Sequence, residues 1–219
     1  MKIFRHLTAS LVWFSALVAA GVFAFVIALT FAVSLFRDVV ISGWSVAAGQ
    51  VGPWFVLFIG VYVIHNVLPV AVAHGRTRRE LLGAATAFSV VFAAAMAAVA
   101  WLGFLVEGGV YALMDWSAGE RGLPHAYFLM YLVWCAVGML LAAAFDTSGP
   151  AGLVALPFGI AFAVAARVRI PGSGELPFLR NEMSLLGAGW HVASALAWLL
   201  AIGATWAIAR TIPVRSKSG

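Results

Sequence analysis

The sequence predicts an all-α integral membrane protein with six transmembrane helices and both termini cytoplasmic. Three observations predict it: the composition, the spacing of uncharged runs, and the sidedness of the cationic residues. Hydrophobic residues make up 64% of the 219 positions and charged residues only 10%, with a mean hydropathy of +1.04. Soluble domains carry about 25% charged residues. No Asp, Glu, Lys or Arg occurs in residues 7–36, 39–75, 81–106, 122–145, 147–166 or 183–209. Each run meets the roughly 20 residues that a helix needs to cross about 30 Å of hydrocarbon. A backbone in lipid must satisfy its hydrogen bonds within its own segment, so each run reads as a helix.

The expected helices are 10–36, 53–73, 81–106, 124–145, 150–166 and 187–209, forming one membrane domain over 1–219. The first run exceeds the 7–15 apolar residues of a cleavable leader, so it reads as a retained helix although Lys2 and Arg5 precede it. Pro53, Pro124 and Pro150 sit at the starts of runs, where a missing N–H costs nothing. Pro157 falls inside the fifth, which is expected to be short and kinked. Only Asp146, Thr147, Ser148, Gly149 and Pro150 separate the fourth and fifth, which makes them antiparallel neighbours. The apolar outer segment 167–187 fits a short helix that lies in the interface or dips back into the membrane, or else an early start of helix six at about Asn181. Trp13, Trp44, Trp54, Trp101, Trp116 and Trp190 include several near helix borders, as an aromatic belt requires.

Orientation follows from Lys and Arg, which mark cytoplasmic loops. With the N-terminus inside, Lys2, Arg5, Arg76, Arg78, Arg79, Arg210, Arg215 and Lys217 are cytoplasmic. Arg37, Arg121, Arg167, Arg169 and Arg180 then fall outside, together with Asp38, Glu107, Asp115, Glu120, Glu175 and Glu182. The net charge of +5 expresses this bias. It is not a nucleic-acid footprint, because no basic face with interleaved aromatics accompanies it.

Chemistry-bearing residues are few. Cys135 is the single cysteine, no two histidines have His-x-x-x-His spacing, and no metal site is expected. Hydrolase signatures and a Walker loop are also missing from the sequence, so the chain is not expected to be an enzyme or to bind nucleotide itself. Within the apolar runs, Tyr62, His65 and Asn66 in helix two and His191 in helix six serve either as interhelical hydrogen-bond partners or as the lining of a substrate path. His125 reads as interfacial. The small residues of helix three and the spacing of Gly189, Ala193, Ala197 and Ala201 favour close packing within the subunit.

The most informative segment is His74-Gly75-Arg76-Thr77-Arg78-Arg79-Glu80-Leu81-Leu82-Gly83. Gly75 suits a left-handed helix end, and Thr77 with Glu80 forms a capping box that starts the next helix at once. That helix is too long for the membrane, so its tip protrudes or bends, with Gly83 as a plausible elbow. A basic tip of this kind can dock on a soluble partner or anchor to anionic headgroups.

The stretch Ala73-His74-Gly75-Arg76-Thr77-Arg78-Arg79-Glu80 followed by Leu81-Leu82-Gly83 resembles the loop between helices two and three in the type-2 class of ABC-exporter permeases. The six-helix layout and the elaborated outer segment before the last helix share the resemblance. It implies a short coupling helix in which Arg76, Thr77, Arg78, Arg79 and Glu80 contact a separate ABC ATPase. It further implies two ATPase copies that bind ATP and Mg, a second membrane subunit of the same or a homologous kind, and the bacterial cytoplasmic membrane. The substrate class expected from an uncharged interior is amphipathic or apolar, such as a lipid, peptide or antibiotic. One departure is the short segment before helix one, where many family members carry a longer amphipathic helix. The alternative is an ATP-independent carrier, channel or scaffold, against which the absence of Asp and Glu from the expected helices argues.

A cysteine at residue 77 in a Cys135→Ser background is expected to react with an impermeant thiol reagent only after cells are opened. Labelling in intact cells would reverse the orientation.

Overall fold

The computed structural model describes residues 2–37, 39, 42–116, 122–167, 170 and 189–210, with side chains from residue 9 onward. Among these the regular structure is entirely helical. The helices are α1 (Lys2–Ser34), α2 (Gly43–Ala73), α3 (Arg78–Met114), α4 (Pro124–Ser148), α5 (Ala155–Arg167) and α6 (Trp190–Ala209). A 3-10 segment, Gly149–Val154, leads from α4 into α5. Five helical stretches are long and apolar enough to cross a membrane, and one of them, Pro124–Arg167, comprises both α4 and α5.

That stretch is not one rod. Gly149 takes a φ of 55°, a left-handed conformation that breaks the α4 ladder, and α5 then folds back along α4. Pro157 lies in the first turn of α5 and does not kink its middle.

α4 is the axis of the bundle. It packs against α2, α3, α5 and α6, and from Met130 to Leu140 every residue is buried. α2 approaches it so closely that side chains are excluded on both sides. A Cβ on Gly60 would collide with the Cys135 carbonyl, and one on Gly138 with the Leu57 carbonyl. Backbone-to-backbone contact of this kind replaces hydrophobic transfer as the source of association where the solvent is itself apolar. Cys135 is buried in this seam. By contrast α1 rests mainly on α3 and leaves Trp13, Phe14, Leu17, Phe25 and Leu29 exposed.

Several borders differ from the sequence expectation. α1 is continuous from Lys2, not from residue 10. α2 begins at Gly43, ten residues before Pro53, because a different group caps it. α3 continues to Met114, past the expected end at Val106, and its α-helical assignment is unbroken through Gly83. No separate short helix precedes α3; Arg78 is its first residue. Trp44 and Trp190 are 4% and 1% exposed, so they are core residues and not parts of an aromatic belt. The segment 167–187 lies outside the described residues except for Arg167 and Ile170.

Gly138→Ala is expected to lower the unfolding temperature in detergent, at a cost of about 1–3 kcal/mol for overpacking. At Gly83 an added methyl meets open space, so Gly83→Ala is expected to be neutral or to stabilise by up to about 1 kcal/mol. Equal unfolding temperatures for the two variants would remove the close-contact account of the α2–α4 seam.

Candidate functional site

The helix order brings Arg76, Arg78, Arg79 and Arg210 to one end of the bundle, here termed the basic end. Gly75, with φ 79°, ends the α2 turn, and Thr77 is extended. The Glu80 amide donates to Thr77 Oγ1 at 3.2 Å, and the Thr77 amide donates to Glu80 Oε2 at 3.4 Å. This reciprocal cap satisfies amides that a helix start leaves without intrahelical partners. Thr77 and Glu80 are therefore occupied in building the tip. Arg76 and Arg79 are exposed. Arg78 turns the other way: its Nη1 donates to the Arg210 carbonyl at 2.6 Å, at the C-terminal end of α6. A cation there also complements the negative end of the helix dipole.

Two further contacts run between α3 and α6. Trp206 Nε1 donates to Thr86 Oγ1 at 3.0 Å, and Trp198 Nε1 donates to Ser89 Oγ at 3.4 Å. Both hydroxyls donate in turn to carbonyls of their own helix, Leu82 and Thr86. The indoles thus reach α3 without breaking its ladder. The start of α3 and the end of α6 are joined as one tip.

α2 contains two π-helical turns, Ala47–Val51 and Val63–Val67. Each lies just before a proline, and the chemistry explains both. Pro53 has no N–H for the Gly49 carbonyl, and Pro69 has none for the His65 carbonyl. The ladder widens instead, with the Gly52 amide donating to Ala47 and the Leu68 amide to Val63. At the first turn other donors take the released oxygens. Tyr131 Oη donates to the Ala48 carbonyl at 2.9 Å, and Arg167 Nη2 donates to the Gly49 carbonyl at 2.9 Å and to Gln50 Oε1 at 2.6 Å. The Arg167 guanidinium also lies over the Trp134 ring at 5.8 Å. Arg167, expected in an outer loop, is instead the last residue of α5 and braces α2.

The second π turn carries His65 and Asn66 on an exposed face that continues to Tyr62. His65 Nδ1 sits 2.7 Å from Asp146 Oδ1 in the last turns of α4. The structure therefore brings Tyr62, His65 and Asn66 together. It does not bring His191 to them. His191 packs on His125 with ring centroids 5.1 Å apart, at the far end of α4. His125 and Asp146 are about 30 Å apart along that helix. His125, expected to be merely interfacial, is a partner of His191 and lies near Trp190.

The residue that sequence reasoning missed most clearly is Glu107. Expected in an outer loop, it is 3% exposed inside α3. Its Oε2 accepts from Ser42 Oγ at 2.5 Å and its Oε1 accepts from the Trp44 amide at 2.9 Å. Ser42 Oγ also accepts from the Ser45 amide at 3.0 Å, and the Gly43 amide donates to Tyr111 Oη at 3.4 Å. A negative group at a helix start is favourable for the dipole and for the free amides alike. Glu107 thus starts α2 from outside it. Its signal in the sequence was its position between Phe104 and Tyr111, which occupy the same buried face of α3. The expectation that the helices lack acids is likewise overturned, by Glu107 in α3 and Asp146 in α4.

Among the described residues no group of three or more His, Cys, Asp or Glu could hold a metal ion. Comparison with family models, curated proteins and solved structures returned no match.

Glu107→Leu leaves the Ser42 hydroxyl and the Trp44 amide without their acceptor, at an expected cost of about 1–3 kcal/mol for each buried group. Glu107→Gln retains one acceptor and is expected to lose less. A thermal unfolding curve for Glu107→Leu that overlays the parent would show that the carboxylate does not hold the start of α2.

Proposed function

We propose that this chain is the permease subunit of an ATP-driven ABC exporter, with six membrane crossings and both termini in the cytoplasm of a bacterial cell. The observation that carries the reading is the basic end. A reciprocally capped helix start presents Arg76 and Arg79 outward, while Arg78 ties the same tip to the end of α6. α3 is about 55 Å long, well beyond the hydrocarbon thickness. Force applied at such a tip reaches α3 and α6 together, which is what a soluble motor acting on membrane helices requires.

The sixth crossing is supported by length. The 3-10 segment and α5 together span about 30 Å, matching the hydrocarbon layer, and they run antiparallel to α4. The cytoplasmic assignment rests on the Lys/Arg bias. In this reading ATP and Mg are bound by two copies of a separate ATPase, a second membrane subunit completes the pathway, and the chain is not itself an enzyme. Tyr62, His65 and Asn66 face that pathway, because polar groups on an otherwise apolar helix face are costly against lipid. The cargo is an amphipathic or apolar molecule.

An ion-driven carrier would want an intramembrane acid free to exchange a proton or cation. Among the described residues Glu107 is the buried acid, and both of its oxygens already serve the start of α2. The exporter reading is the better supported one.

The Arg76→Glu/Arg79→Glu variant spares the cap and the Arg78 tie. It is expected to express and unfold like the parent but to lose a co-purifying Walker-motif subunit, since reversing charges at an interface costs about 2–5 kcal/mol. Full retention of that subunit would defeat the docking role. A parent protein that purifies from its native membrane with no such companion would defeat the exporter reading itself.

A further inference from the structure

At the end of the bundle opposite the basic end, α4 and α6 each carry a histidine in the first turn. His125 follows Pro124, and His191 follows Trp190. α6 packs along α4, which brings the two imidazoles to 5.1 Å between ring centroids with their planes 50° apart. Both residues are exposed. The Trp190 indole backs the pair, its centroid 4.8 Å from that of His191 and 6.5 Å from that of His125. That indole is itself fixed: it is buried, and its Nε1 donates to the Ala165 carbonyl on α5 at 3.1 Å. The imidazoles therefore stand against a rigid apolar wall with their other sides open to water.

The other described histidines are engaged through a ring nitrogen. His65 Nδ1 meets Asp146 and His74 Nδ1 meets the Val70 carbonyl, each at 2.7 Å. Among the described residues no hydrogen-bond partner meets a ring nitrogen of His125 or His191. Aromatic contact alone is a weak reason for the pairing, since it gains most where rings are buried. Metal geometry fits it better. With zinc about 2.05 Å from each nitrogen and each ring centre about 1.15 Å beyond, two imidazoles at the tetrahedral angle stand about 5.2 Å apart. At the right angle of a square-planar ion they would stand about 4.5 Å apart. The terminal torsion of histidine is broad, so one nitrogen of each exposed ring can turn to a shared point without moving a helix.

We propose that His125 and His191 together bind one zinc ion, with two waters completing a tetrahedral shell. No third His, Cys, Asp or Glu joins them among the described residues, so the site is open and not a closed structural one. The positive ends of two helix dipoles oppose a cation here, which makes the affinity moderate. Bound zinc ties the start of α4 to the start of α6. The site requires only the packing of these two helices and does not depend on the exporter reading.

The test uses the full chain in detergent, without a polyhistidine tag, titrated calorimetrically with zinc chloride. The parent is expected to bind one zinc per chain. His125→Gln and His191→Gln are each expected to weaken binding about tenfold or more, and the double variant to abolish it. His74→Gln is expected to leave binding unchanged. X-ray absorption at the zinc edge is expected to show two imidazole nitrogens at about 2.0–2.1 Å, with oxygen in the remaining positions. This measurement needs no variant, so it decides even where a substitution unsettles the fold. No saturable heat up to about 1 mM zinc, undiminished binding in the double variant, or a zinc shell holding fewer than two imidazoles would each overturn the site. So would an equal loss of binding in His74→Gln, or one zinc per two chains with dimer formation, since the ion would then join copies and not helices.

Discussion

The rest of the structure depends on the meeting of two backbones. α2 and α4 approach each other at Gly60 and Gly138, where neither side can accept a Cβ. In an apolar solvent, burial of hydrocarbon gives little drive for helices to associate, and dispersion at close range has to supply it. That contact sets α4 in the centre with α3, α5 and α6 around it. Once α2 is fixed there, its two prolines become tolerable. The oxygens that Pro53 strands are within reach of Tyr131 on α4 and Arg167 on α5, so the neighbours repair what the sequence of α2 breaks.

The existence of the helices was legible because lipid imposes a simple rule, long uncharged runs with internal hydrogen bonds. Their borders were less so. Pro53 reads locally as a helix start, and only tertiary partners reveal that it lies inside one. Glu107 reads as a loop acid, because a charge after an apolar run normally marks the water boundary; its burial depends on Ser42 and Trp44, more than sixty residues away. The capping box at Thr77 and Glu80 was read correctly because its partners are three residues apart. Local chemistry could be read in the sequence, and long-range compensation could not.

The same division holds for the candidate residues. The cluster of Tyr62, His65 and Asn66 follows from helical spacing alone. Asp146 as the partner of His65, and Arg78 as a tie to α6 in place of a free docking side chain, require the fold. The spacing of Gly189, Ala193, Ala197 and Ala201 drew attention to α6, where Ala197 and Ala201 are indeed buried; the tighter seam lay at isolated glycines in α2 and α4 that no repeat announces.

The position of α4 has a consequence for biosynthesis. A chain delivered to the membrane from its N-terminus places α1, α2 and α3 there before their central partner exists. During that interval Gln50 and His65 lack Arg167 and Asp146, which are still unmade, and α2 is held at its start by Glu107, Tyr111 and the Ala100 carbonyl of α3. The half-made protein is therefore a distinct species, with polar groups turned toward lipid and a bare glycine face awaiting α4. Its lifetime is set by the translation of some fifty further residues, and within that window membrane chaperones and proteases meet the chain in its least protected form.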